Sequence, residues 1–247
     1  MPGHVQDASF ALKRGEILGF GGLVGAGRTE LFEGLTGLRP SSGGLSVNGA
    51  PVHFADARAA MRAGIAYLSE DRKGKGLLLE QGLRPNLTLA ALDRFTRGPL
   101  MDFAAEDAAL VTAVREFDIR VGNLDLLVRQ LSGGNQQKLF LAKMMLVEPR
   151  IVITDEPTRG VDIGTKQQIY QFLAKLAEQG VAIVVISSEM QELIGLCHRI
   201  LVMRSGRIAG ELSGDEMTED GIVFLATGVH DWSAQQTGHA DQAARPA

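Results

Sequence analysis

The sequence is short of three things, and each shortage narrows its class. Cys197 is the single cysteine in 247 residues, so no intrachain disulfide can form and the usage fits a reducing compartment. Apolar runs are brief. One of the longest, residues 181–186, falls far below the roughly 20 residues that a bilayer-crossing helix needs. The first residues carry no basic stretch followed by an apolar one, so a role at a membrane is expected to depend on another subunit as anchor. Positive charge is the third shortage: 25 Lys+Arg stand against 29 Asp+Glu, a formal charge of −4. With no basic stripe, the chain is a poor candidate for holding a nucleic-acid backbone by counterion release, and no nucleic-acid partner is expected. No internal repeat is present.

What is there reads as one compact unit with an insertion. Hydrophobic residues make up 45% and charged residues 22%, the balance of an ordinary globule. Residues 8–12 read as an edge strand, 17–20 as a core strand and 30–35 as a helix, followed by a turn-rich stretch around a short strand near 45–47. Residues 56–62 look helical, 64–69 look like a second core strand, and 70–76 form a charged, glycine-broken loop whose composition fits a solvated turn and a functional segment equally. From 85 to 147 the pattern is helical, with apolar residues three and four apart in 105–117 and 135–146. Then strands at 151–154, 181–186 and 200–203 alternate with helices at 164–177 and 189–196. A hairpin through Ser205-Gly206 and an amphipathic helix at 217–226 follow, and residues 230–247 read as a loose tail. The alternation predicts an α/β fold with a mostly parallel sheet, and the wholly apolar strands are the kind buried on both faces.

The chemistry starts at residues 22–29, Gly-Leu-Val-Gly-Ala-Gly-Arg-Thr, lying where a strand gives way to a helix. Gly22, Gly25 and Gly27, with Ala26 between, let the backbone turn its N–H groups inward, and the following helix adds its positive end to hold a phosphate. The Thr29 hydroxyl is placed for Mg²⁺. Arg28 stands where such loops carry lysine, and a rigid guanidinium does not replace a compact ammonium on a flexible stem. Asp155 and Glu156 end the strand at 151–154. A carboxylate there, beside a phosphate loop, suits Mg²⁺ (Asp155), and its neighbour (Glu156) suits orienting or deprotonating water. Leu131-Ser132-Gly133-Gly134-Asn135-Gln136-Gln137-Lys138 opens a helix, with Ser132 able to cap it and two glycines bringing N–H groups close to an anion.

In this order the motifs resemble the nucleotide-binding domain of ATP-binding cassette (ABC) proteins over residues 7–228. Residues 22–30, Ser-Glu-Asp-Arg-Lys at 69–73, the 131–138 segment and Glu-Pro-Thr-Arg-Gly-Val-Asp at 156–162 are similar, more narrowly, to the C-terminal cassette of ribose/galactose/xylose-type sugar importers. The resemblance implies a P-loop NTPase (RecA-like) core with antiparallel edge strands. One domain would span 1–229, with a helical subdomain inserted near 85–147. It implies ATP and Mg²⁺ as ligands, and a signature segment (Ser132, Gly133, Gly134, Gln136) that completes the nucleotide site of a head-to-tail partner cassette. Residues 159–162, with Asp162, would cross to that partner. Transmembrane permease subunits and, indirectly, a periplasmic sugar-binding protein follow as partners, with a peripheral position on the cytoplasmic face of the membrane. Residues 70–89 would face the permease, and leucines 77–79 would suit a docking patch or, equally, a core strand.

Three positions depart from the general family pattern: Arg28 for lysine, Glu70 for a glutamine near Mg²⁺ and water, and Ser188 for a histidine at the γ-phosphate. All three would surround one γ-phosphate, which leads to the expectation of an own site that binds nucleotide and hydrolyses it slowly, with Ser132 and Gly134 catalysing in trans. Few residues precede Gly15-Glu16, and Phe10 falls in the expected edge strand rather than at an adenine. A longer parent chain with the other cassette upstream is therefore expected. The rival readings are a cassette ATPase acting on nucleic acid or ribosomes, and a regulatory nucleotide-binding module without turnover.

Overall fold

Period-two alternation decides the sheet. In the computed structural model, which describes residues 5–124 and 126–228, successive strand residues feed two hydrophobic clusters on opposite faces. Ile17, Ile183, Val185, Ile200 and Val202 enter one cluster; Leu18, Phe20, Val184, Ile186, Leu201 and Met203 enter the other. Burying each such side chain contributes roughly 1.5–3 kcal/mol, so strands apolar on both sides are fixed at the centre of three layers.

In chain order, β1 (Ile17–Gly22) leads to α1 (Arg28–Leu35), a two-stranded hairpin of β2 (Leu45–Val47) and β3 (Ala50–Val52), α2 (Ala57–Arg62) and β4 (Ile65–Leu68). After a single π-turn at Arg72–Gly76 come α3 (Leu83–Thr88), a 3₁₀ segment at Leu89–Phe95, a small hairpin of β5 (Thr96–Arg97) and β6 (Leu100–Met101), α4 (Phe103–Glu116) and α5 (Gly133–Met145). The chain then returns to the sheet with β7 (Ile151–Asp155), α6 (Ile163–Glu178), β8 (Ala182–Ile186), α7 (Met190–Leu196), β9 (Arg199–Arg204), β10 (Arg207–Ser213) and α8 (Glu219–Thr227). The main sheet runs β10-β9-β1-β8-β7-β4, parallel except for the β10 edge. This is the expected α/β architecture, and it sets the carboxyl ends of β1 and β7 side by side across β8, where open α/β sheets bind ligands.

Three expectations are corrected. Residues 8–12 form no strand; only Asp7 bridges to Arg207. Ala8, Phe10 and Leu12 do face the second cluster, and the Phe10 ring lies 5.1 Å from Phe20 and 5.8 Å from Phe32. The backbone there bonds to a side chain, with Arg199 donating to the Ala11 carbonyl at 2.5 Å, instead of to a ladder. The stretch 85–147 is not helical throughout, because Gly98, at φ 64, turns the chain into the β5–β6 hairpin before Asp102 caps α4. Leucines 77–79 are neither a patch nor a strand: Leu77 is buried, Leu79 packs on the core, and only Leu78 is exposed. The tail expected at 230–247 lies outside the described residues.

Candidate functional site

The loop after β1 is shaped by glycine. Gly22, at φ 141, pairs with Met203, and any side chain on it would run into the Met203 carbonyl. Gly25 and Gly27 take left-handed φ values of 81 and 97. Gly27 caps α1 without a side-chain hydrogen bond, so the first N–H groups of that helix keep their donors for a ligand. Ala26 is buried and its N–H donates to Leu23 at 3.0 Å. Gly25, Ala26 and Gly27 form one wall of a cleft of about 500 Å³ that also contains Arg28, Thr29, Glu70, Asp155, Glu156, Arg159 and Ser188.

Asp155 ends β7 almost fully buried. The Thr29 hydroxyl donates to its Oδ2 at 2.8 Å and the Tyr67 hydroxyl donates to the same oxygen at 3.0 Å. Burial raises its pKa to about 6, against the lowering pull of those two donors. Glu156 follows in a left-handed conformation, φ 51, unusual for a residue with a side chain. The turn aims its carboxylate at Ser188, whose N–H donates to Oε1 at 2.7 Å and whose hydroxyl donates to Oε2 at 3.1 Å. Arg28 is buried, and its guanidinium donates to the Ser187 carbonyl at 2.5 Å. Burial lowers its pKa while Glu156 and Asp155 oppose that shift.

Glu70 does not present a bare charge to the cleft, as its replacement of glutamine suggests, because Arg159 forms an ion pair with it. Arg159 was missed in the sequence, where the 159–162 segment reads only as a loop toward a partner. The signal was a cation, in a motif otherwise built of turn residues, set against an unexpected carboxylate. Tyr67 was missed too, though alternation along β4 puts it on the Ile65 face.

The signature residues lie elsewhere. None of Ser132, Gly133, Gly134, Gln136 or Asp162 lines the cleft. Ser132 is exposed and caps α5, accepting from the Asn135 N–H at 3.3 Å. A side chain at Gly133 would meet the Gly160 carbonyl and the Arg72 guanidinium; one at Gly134 would meet the Thr165 hydroxyl. Arg72 ties this corner down by donating to Gln137 at 3.0 Å and to the Arg159 carbonyl at 2.8 Å. Gln136 is buried, its amide donating to the carbonyls of Val128 and Leu131. Asp162 caps α6 through Thr165, at 2.9 Å from its N–H and 2.8 Å from its hydroxyl, and those two donors lower its pKa.

The cleft's donor set suits one kind of metal. Among the described residues no group of three His, Cys, Asp or Glu side chains converges on a point. A hydroxyl beside one carboxylate is the hard-oxygen pair with which Mg²⁺ is held together with a ligand's phosphates. Five carboxylates line the cleft, those of Glu30, Glu70, Asp155, Glu156 and Glu189, against the guanidiniums of Arg28 and Arg159. An anion entering it therefore needs such a cation for neutralisation.

A family model for ABC transporters matches residues 5–159. The ribose import ATP-binding protein RbsA 2 of Rhizobium etli is 47% identical over 236 residues, covering 95% of this chain and 46% of that protein. A ribose import ATP-binding protein of Ruegeria sp. is 46% identical over 241 residues, covering 97% and 46%. The chain thus spans about half the length of the curated relatives it matches. Among solved structures, a dimeric ATP-binding cassette in a post-hydrolysis state with ADP and Pi superposes with a TM-score of 0.74 at 22% identity, covering 85% of this chain and 90% of that one. A nucleotide-free cassette from an ABC transporter superposes with a TM-score of 0.74 at 19% identity, covering 89% of each. At these identities the likeness is one of fold. With the family match taking in the phosphate loop, the signature and the Asp155 strand end, the chain belongs to the ABC transporter family.

Proposed function

We propose that the chain is an ATP-binding cassette of a sugar importer, and that its main contribution to hydrolysis is made to a partner cassette. Family membership and the ribose import relatives support ATP binding and transport. In this reading the backbone of residues 22–29, with Arg28, cradles the phosphates, while Thr29 and Asp155 hold Mg²⁺. When bound, the cation offsets the phosphate charge. Glu156 is the group that would take a proton from attacking water. Its two oxygens are already occupied by the Ser188 donors, which supports slow turnover at the chain's own site. Arg28, Glu70 and Ser188 make that site a departure from the family pattern.

The observation that carries the reading is the separation of two motifs within one chain. The cleft has no signature residue in its wall, while Ser132 is exposed at the start of α5, with Gly133 half-buried and Gly134 buried behind it. A head-to-tail partner would bring its own phosphates to that start, with Ser132, Gly133 and Gly134 donating and Asp162 fixing the adjoining loop. The partner cassette is proposed to lie upstream in the same polypeptide, consistent with relatives about twice as long. Permease subunits would place the assembly on the cytoplasmic face of the membrane, supplied with sugar by a periplasmic binding protein. A groove of about 440 Å³ beside Ser69 and Lys75 is the surface proposed to receive the permease. Two variants in the assembled transporter test the assignment. Ser132→Arg should abolish ATP turnover and Glu156→Gln should leave most of it; the reverse ranking refutes the trans role.

A further inference from the structure

Tyr67 has no part in the mechanism above, yet its hydroxyl reaches into it. The residue sits on β4 opposite Ile153 of β7. Asp155, two residues further along β7, therefore lies on the same face, one step toward the cleft. The ring packs against the cluster beneath α1, a role that phenylalanine fills equally well. The hydroxyl is what needs an explanation, because burying one without a partner costs free energy. It is satisfied by Asp155, at 3.0 Å from Oδ2. Thr29 donates to that same oxygen at 2.8 Å. Two donors from different elements, β4 and α1, thus converge on one carboxylate oxygen and fix the rotamer of a buried side chain. The Tyr67 phenol stays protonated and able to donate, since burial and the neighbouring Asp155 both push its pKa upward.

We infer that Tyr67 is a positioning residue for metal binding: by holding Oδ2 of Asp155 together with Thr29, it leaves Oδ1 presented to a divalent cation in the cleft. The inference rests on the proposed role of Asp155 as a metal ligand. Partners behind a ligand typically change metal affinity by about tenfold or more when removed. Tyr67→Phe keeps the ring and deletes only the donor.

The test measures ADP affinity of the full chain with Mg²⁺ and with chelator, so that no turnover is involved. The metal-dependent gain in affinity should shrink about tenfold in Tyr67→Phe, with chelator-state affinity unchanged. An unaltered gain overturns the inference. Asp155→Asn separates it from its premise: if that variant keeps the full metal-dependent gain, Asp155 is not the ligand and both fail. If Asp155→Asn loses the gain while Tyr67→Phe keeps it, only the positioning role fails. A second readout does not depend on the phenylalanine variant folding. The chain has two tyrosines, so in Tyr170→Phe the remaining tyrosine absorbance reports on Tyr67. Addition of Mg²⁺ to the ADP-bound protein should perturb it, and a flat difference spectrum overturns the inference.

Discussion

The cleft and the signature corner handle polar groups in opposite ways. In the cleft, side chains that could act on a ligand are already engaged with one another: Glu70 with Arg159, Glu156 with Ser188, and Asp155 with Thr29 and Tyr67. At the corner, side chains are spent on holding backbone in place. Ser132 caps α5, Arg72 joins Gln137 to the Arg159 carbonyl, and the two glycines lie against Gly160 and Thr165. A site whose donors and acceptors satisfy each other must rearrange before it does chemistry. A site built from fixed backbone N–H groups is preorganised, and preorganised donors are worth more at the moment of reaction. Arg72 and Arg159 connect the two regions, because the residue that neutralises Glu70 also lends its carbonyl to the Arg72 guanidinium.

The largest expected effect breaks the comparison at the corner. Gly134→Val has no room for its side chain beside Thr165, so the start of α5 must shift. Turnover by the assembled transporter should fall at least about a hundredfold, the usual loss when one preorganised donor is misplaced. Nucleotide affinity of the chain's own cleft should stay unchanged. Equal losses in both would show that the two regions are not independent.

How much of this was legible in the sequence follows the range of the interactions. The glycine-shaped turn after β1, the Asp155-Glu156 strand end and the Ser132 cap are set by residues within a few positions of one another, and their local geometry was readable. Glu70 with Arg159, Tyr67 with Asp155 and the burial of Gln136 depend on contacts across elements, and sequence distance hides these. Tyr67 marks the boundary. Alternation gives its face, but only the register of β4 against β7 gives its partner. The β5–β6 hairpin was missed for another reason: pairs as short as Thr96–Arg97 and Leu100–Met101 are too brief to show a period, and the helical spacing on both sides covered the Gly98 turn. Residues 8–12 alternate correctly and still form no strand, because the pattern reports which side is buried and not whether a neighbouring ladder exists.

A middle-sized effect sharpens the contrast through pH. The folded pKa of Asp155 is raised to about 6 from an ordinary value of 3.8, so ionising it in the apo chain costs stability. That cost is absent below the unfolded pKa, grows as pH rises between the two values, and is complete above about 6. Asp155→Asn should therefore stabilise the metal-free chain at pH 7 to 8, on the order of 1–3 kcal/mol, and have little effect at pH 4 in denaturant melts. The same titration makes Mg²⁺ compete with a proton, so metal-dependent nucleotide binding should fade as pH falls through about 6. A stability change independent of pH would mean that the carboxylate is not strained by its burial.

The smallest effect concerns the lock on Glu156. Ser188 holds that carboxylate with two donors, and Ser188→Ala removes only the hydroxyl at 3.1 Å, leaving the N–H at 2.7 Å. A hydrogen bond to a charged group contributes about 1.5–3 kcal/mol when it is the sole restraint. Here the retained N–H keeps most of the geometry, and a barrier change below about 1 kcal/mol is expected, or about threefold in rate. The measurement needs the partner's site silent, which Ser132→Arg provides. Against that background Ser188→Ala should raise the residual turnover about threefold, and the added Glu156→Gln change should remove the gain. If Ser188→Ala instead lowers the residual rate, the hydroxyl helps Glu156 rather than restraining it, and the cleft would count as a preorganised site like the corner it is contrasted with.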